Sequence, residues 1–176
     1  EHPLIKDLAL LRDQVSQSLQ LKFDGNAVTV YLFRDEMEYH KYLQEAHPGL
    51  PTRRAYFIAN SKGLAVYTYW GDRIQEDLRH EYTHGLLHSA LVNVPLWIDE
   101  GLAEYFELPP ENGGVNAQHL ERLRKGPFQP DLVHLEQLNQ VEQMDRPEYR
   151  EAWGWVHLML RGKPEGRLVL LNYLQH

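Results

Sequence analysis

Apolar residues near the start of the chain recur at Leu8, Leu11, Val15 and Leu19. Spacings of three and four predict an amphipathic helix over residues 4–19, with one face on a core. A turn follows at Asp24-Gly25-Asn26. Residues 27–33 are β-branched and aromatic and predict a strand, and residues 35–46 predict a helix that stops before Pro48. Two further strands, 55–59 and 64–70, flank Asn60-Ser61-Lys62-Gly63, a hairpin signal. Beyond Ile74 the period becomes helical, over 75–91, 96–108, 117–124 and 148–161, with a shorter helix near the C-terminus. Strands first and helices second predict an α+β fold. A small antiparallel-containing sheet lobe, about residues 1–74, would pack on a helical lobe, about 75–176, in a single domain joined near residues 71–77.

Composition narrows the partners. At 176 residues the chain can bury a substantial core, and 43% hydrophobic with 24% charged residues is ordinary for a globular protein. No apolar run approaches the roughly 18 residues of a spanning helix, so no membrane span is expected. A net charge of −7 without a basic cluster repels a phosphate backbone, so nucleic acid is not an expected partner. With no cysteine, any metal site must be built from His, Asp and Glu. The first residue is Glu1 rather than Met, compatible with a removed leader or a trimmed chain. An extracytoplasmic location is the expectation and a cytoplasmic one the alternative; the pattern leaves oligomeric state open.

His80-Glu81-Tyr82-Thr83-His84 matches H-E-x-x-H inside the helical segment 75–91. Positions four apart on an α-helix differ by about 40° in azimuth and about 6 Å in rise. Both imidazoles can therefore converge on one zinc ion. Glu81 is rotated about 100° from His80, out of the ligand set but within reach of a water at the ion, where a general base belongs. A chain with ten histidines can produce the pattern by accident. Here, however, Leu87 and Leu91 continue the histidine stripe, and Leu78, Tyr82 and Leu86 form an adjacent one. The helix should thus be largely buried, and inward-facing histidines need partners. Ligating imidazoles must be neutral, so the ion should leave as pH falls well below about 6.

A catalytic zinc site needs a third ligand, and the segment Leu96-Trp97-Ile98-Asp99-Glu100-Gly101-Leu102-Ala103-Glu104-Tyr105-Phe106 is its best source. Ile98, Leu102, Tyr105 and Phe106 form one stripe, while Trp97, Glu100 and Glu104 share another. An antiparallel return around residues 92–95 would bring one of these glutamates to the histidines. Gly101 costs roughly 1 kcal/mol relative to Ala in a helix, so something must approach closely there.

Together with Tyr149-Arg150-Glu151-Ala152-Trp153, these motifs resemble the peptidase-MA-like branch of the gluzincin zinc metalloproteases, over about residues 55–160. The resemblance implies a zincin-like fold with the active site in the cleft between the lobes. It implies one zinc ion, Glu100 as third ligand, and Glu104 orienting a zinc-binding histidine from behind. It also implies that Tyr149 donates to the oxyanion, where the bland reading is a half-buried helix tyrosine. By the same resemblance, strand 64–70 would be the sheet edge that pairs with an extended substrate, or else an ordinary hairpin strand. No G-A-M-E-N-like element is present, so an endopeptidase acting on a peptide or protein is expected rather than an aminopeptidase. The alternative is a zinc-stabilised binding or scaffold domain with a vestigial site; an accidental motif in a helical interaction domain is the third reading. His88 lies about 12 Å along the axis from His80, too far for the same ion, and reads as structural, as does His157. Asp77 and Asp99 read as solvated or capping acids, and Glu107 as part of a loop without chemistry.

Overall fold

A computed structural model describes residues 2–23 and 25–175, so Asp24 of the expected first turn lies outside the described residues. Helix α1 (Pro3–Leu19) starts with proline at its first position, and the His2 ring accepts from the Leu4 amide. It buries Leu11, Val15 and Leu19, the predicted stripe. After β1 (Val28–Phe33), Asp35 caps α2 (Glu36–Ala46) by accepting from the Glu38 amide at 2.9 Å. The hairpin β2 (Ala55–Asn60) and β3 (Gly63–Tyr69) turns through Ser61-Lys62. Asn60 Oδ1 takes the Lys62 amide in that turn, and Gly63 supplies φ +127°.

The three strands lie in the order β1-β3-β2. β1 runs parallel to β3, from Val28 opposite Leu64 to Phe33 opposite Tyr69, and β2 runs antiparallel to it. The sheet lobe therefore contains the antiparallel pair expected and adds a parallel one. It also corrects the edge assignment: β3 is paired on both sides, and the free edge beside the helical lobe belongs to β2. α2 packs over one face of the sheet, where Tyr39, Leu43, Tyr56 and Tyr67 make a small aromatic cluster.

The helical lobe follows as α3 (Ile74–Ala90), α4 (Leu96–Phe106), α5 (Ala117–Lys125), α6 (Leu132–Gln137), α7 (Arg146–Arg161) and α8 (Pro164–Gln175). The short α6, capped by Asp131 on the His134 amide, has no counterpart in the sequence reading. α7 begins two residues before the expected start, because Asp145 and Glu148 form a reciprocal capping box with Pro147 in the first turn. One large core joins α1, α3, α4, α7 and α8 through Leu11, Leu87, Trp97, Leu102, Trp153 and Leu170. No helix is long and apolar enough to cross a membrane among the described residues.

Two glycines set the spacing around α3 and α4. A Cβ on Gly85 would meet Val28 Cγ1 at 2.6 Å, so α3 lies directly against β1. A Cβ on Gly101 would meet the Ala152 carbonyl oxygen at 2.7 Å and Val156 Cγ2 at 2.9 Å. The close approach expected at Gly101 is therefore made by the α7 backbone, which cannot step aside as a flexible side chain can. Alanine normally gains about 1 kcal/mol over glycine in a helix. Gly101→Ala is expected to do the reverse and lower unfolding free energy by about 1–3 kcal/mol, as overpacking does. Urea denaturation of the two proteins checks this.

Candidate metal centre

α3 and α4 pack antiparallel, and their facing sides carry the candidate ligands. His80, His84 and Glu100 each turn one ligand atom toward a common point. His80 Nε2 lies 3.6 Å and His84 Nε2 3.7 Å from Glu100 Oε2. In a tetrahedron with bonds of about 2.0–2.1 Å, ligand atoms sit about 3.3–3.4 Å apart; the two Glu100 distances are near that spacing, and all three ligand atoms lie within 4.8 Å of one another. Glu100 and His84 are buried, at 5% and 7% exposure.

The remaining ring nitrogens are held from behind. His80 Nδ1 is 2.9 Å from Glu107 Oε2, and His84 Nδ1 is 3.0 Å from Asp99 Oδ1, an ion-pair contact rather than an aligned hydrogen bond. Carboxylates in this position fix tautomer and ring direction in metal-ligating histidines. Asp99 Oδ2 also holds His88 Nε2 at 2.9 Å, so His88 props the acid that props His84. The donor set and its supports thus fit a divalent cation. Three imidazoles, His80, His84 and His88, stand among the four carboxylates of Glu81, Asp99, Glu100 and Glu107, so acids outnumber rings in a site that must neutralise them.

Glu104, expected to hold a ligating histidine, has its Oε2 2.8 Å from His119 Nε2 on α5; the support of His80 comes from Glu107 one turn later. Glu81 accepts from the Phe57 amide of β2 at 2.6 Å, so the carboxylate is pinned to the sheet edge. Tyr149 is half-buried on α7, beside Glu104 and His119 in an adjoining groove. Burial raises its phenol pKa, and Glu100, Glu104 and Glu81 add to the rise against Arg53, so the hydroxyl keeps its proton as a donor. Asp77, read as solvated or capping, takes a bidentate Arg54 at 2.7 and 2.9 Å. His157 is structural, stacked on Trp153 and 3.2 Å from the Gly114 carbonyl.

Three residues escaped the sequence reading. Glu107 stands seven residues after Glu100 and three after Glu104, so it continues their stripe and was legible. Asp99 was not, because its partners come from another helix at no fixed sequence distance. His119 depends on the path of the chain between α4 and α5, which no periodicity specifies. Part of this cluster opens on a cleft of about 530 Å³ between the lobes, whose lining includes His80, Glu81, Glu104, Glu107 and His119. A scan against protein-family models and a search of curated proteins return no match. Fold and site together define an α+β protein with a buried His/Glu cluster able to bind a metal ion.

Burial works against charge on His84, but the fields of Asp99 and Glu100 outweigh it and raise the ring to about 9. For His80, burial is again opposed, by hydrogen bonds to Glu100 and Glu107 and the field of Glu81, and the ring stands well above its ordinary value. Burial and neighbouring Glu104 in turn raise Glu107. Protons therefore hold the cluster together when no metal does. A folded-state pKa raised from 6.5 to about 9 adds stability that is fully present below 6.5 and is lost as pH rises through about 9. Two outcomes are expected for metal-free protein. Its melting temperature should fall between pH 6.5 and 9, and zinc binding at pH 7 should release about two protons. Titration calorimetry in buffers of different ionisation enthalpy counts them; no release would show that the two rings are already neutral. Competition with protons thus begins well above the pH of about 6 expected from unperturbed imidazoles.

Proposed function

We propose that the protein is a zinc-dependent metallopeptidase of the gluzincin type, acting as an endopeptidase on extended peptide segments. The observation that carries this is the convergence of His80, His84 and Glu100, with Glu81 on the same helix as the two histidines but turned to the edge of β2. In this reading His80, His84 and Glu100 would hold the zinc. When bound, it would supply Lewis acidity toward a water and the scissile carbonyl. Glu81 removes a proton from the attacking water and delivers it to the leaving amine. The Phe57 amide holds that carboxylate in place at the edge of β2. The Tyr149 hydroxyl donates to the oxyanion of the tetrahedral intermediate.

Substrate alignment falls to β2. In an antiparallel pair, alternate residues direct both backbone groups to the same side. The Phe57 amide points away from β3 toward Glu81. The backbone groups of Ala55 and Ala59 therefore share that outward side, and in this reading an extended peptide runs along β2 and pairs with them while the Phe57 amide stays with Glu81. Because Asp99 and Glu107 rather than Glu104 sit behind the ligands, the orienting role passes to them in this reading.

Glu81→Gln is expected to keep zinc affinity within a few-fold and to lower peptide hydrolysis by about 10²–10⁴. His80→Ala should lose both. Quenched-fluorescent peptides with chelator and zinc-rescue controls give the rates, and metal analysis gives occupancy; undiminished hydrolysis by Glu81→Gln overturns the assignment. In the same assays Glu107→Gln should weaken zinc binding about 10–100-fold, and Glu104→Gln much less. Equal effects would return the orienting role to Glu104.

A further inference from the structure

The charged groups lining the cleft form an account with one residue left over. Arg54 is spent on Asp77, Arg73 on Glu76, His80 on Glu107 and Glu100, His119 on Glu104, and Glu81 on the Phe57 amide. Arg53 lines the same cleft. Among the described residues it has no carboxylate within ion-pair distance; its guanidinium instead lies over the Tyr56 ring, 5.8 Å from the centroid.

The segment that carries Arg53 is braced on three sides. The Tyr56 hydroxyl donates to the Pro51 carbonyl. Thr68 Oγ1 on β3 donates to the Arg54 carbonyl at 3.2 Å. The Arg54 side chain is clamped to α3 through Asp77. Backbone and platform are thus fixed, and the guanidinium at their tip is exposed and without an ion-pair partner among the described residues. Arg53 stands two residues before β2, the strand whose outer edge flanks Glu81. Its charge also reaches the Tyr149 phenol, which places it within electrostatic reach of the reaction centre. A peptide lying along β2 would pass under this cation. Elsewhere the chain carries an excess of acid, −7 overall, so a single free cation in the cleft gives a local preference opposite to the global one.

We infer that Arg53 is a specificity-determining residue that selects peptides presenting a carboxylate close to the scissile bond. The inference rests on the peptidase reading above and names its substrate class. The carboxylate can come from a Glu or Asp side chain or from a nearby free C-terminus; the chemistry recognised is the same. A planar guanidinium on an aromatic platform suits such a group, pairing with it in two parallel hydrogen bonds.

The test measures binding, so that it does not wait on turnover. Six short peptide hydroxamates, whose hydroxamate binds zinc, carry Glu, Gln or Lys at the adjoining residue, each as the C-terminal acid and amide. Titration calorimetry with zinc-loaded wild type should show a preference of about three- to tenfold for Glu over Gln, or for acid over amide if the terminus is what is read. Lys should bind worst, and the preference should shrink as salt rises. R53A should bring the ratios near unity, and R53E should invert the Glu-to-Lys ratio. Arg53 is exposed, so both variants should melt within a few degrees of wild type. If R53E keeps the wild-type ratios while the probes still bind, the assignment of Arg53 is overturned and the metal reading stands. If none of the six binds zinc-loaded protein, the metallopeptidase reading fails and takes this inference with it.

Discussion

Glu100 reaches the two histidines only because α4 returns along α3 at close range after a connection of a few residues, and a buried cation fixes that return. Arg79, the residue before His80, is 1% exposed. Its guanidinium donates to the Phe106 carbonyl at the end of α4, and to Asp7 and Gln14 of α1. One side chain thus ties the histidine helix to the C-terminal end of the glutamate helix and to the helix that covers both. Breaking a buried pair of this kind by removing one partner typically costs about 3–5 kcal/mol, since the survivor keeps its burial and loses its compensation. Gly101 works from the other side of α4 by letting the α7 backbone seat against it. The metal cluster is therefore set by contacts that are not ligands.

Electrostatics explains why the site needs so many acids. A histidine left to itself in the core would be neutral and free to turn. Here Asp99 and Glu107 hold each Nδ1, which leaves each Nε2 facing Glu100. The same carboxylates make a cation of some kind obligatory, and protons serve when metal does not. Raised imidazole pKa values in the metal-free chain and the capacity of the cluster to take a metal ion are thus two expressions of one charge imbalance.

Legibility in the sequence followed the range of the interaction. Local periodicity located α1, β1, α2, the hairpin, α3, α4 and α7, because burial on one face repeats every 3.6 or 2 residues. His80 and His84 were legible for the same reason, since one helical turn carries both. Glu100 required two helices to meet; the short connection and Gly101 pointed to one of the glutamates of that segment, and the family resemblance singled out Glu100. Glu107, read as part of a loop without chemistry, lies on the Glu100/Glu104 stripe extended beyond the helix, whereas Asp99 and His119 meet partners that no spacing predicts. Strand order was illegible too: hairpin logic pairs β2 with β3 but does not say which side β1 joins.

That last choice decides where a cleft can exist. β1 joins β3 in parallel, which requires a crossover, and the chain between them supplies α2 and then β2. α2 packs over one face of the sheet and α3 lies against β1 by way of Gly85. Had β1 paired with β2 instead, the Phe57 amide would be consumed in a ladder and Glu81 would lose the donor that holds it. With β1 on the far side of β3, the outer edge of β2 stays open, and α3 presents Glu81 to that edge. The residues leading into β2 then carry Arg53 to the mouth of the same opening. A single topological choice, made by strands that supply no candidate metal ligand, thus sets the orientation of Glu81 and the position of Arg53 beside it.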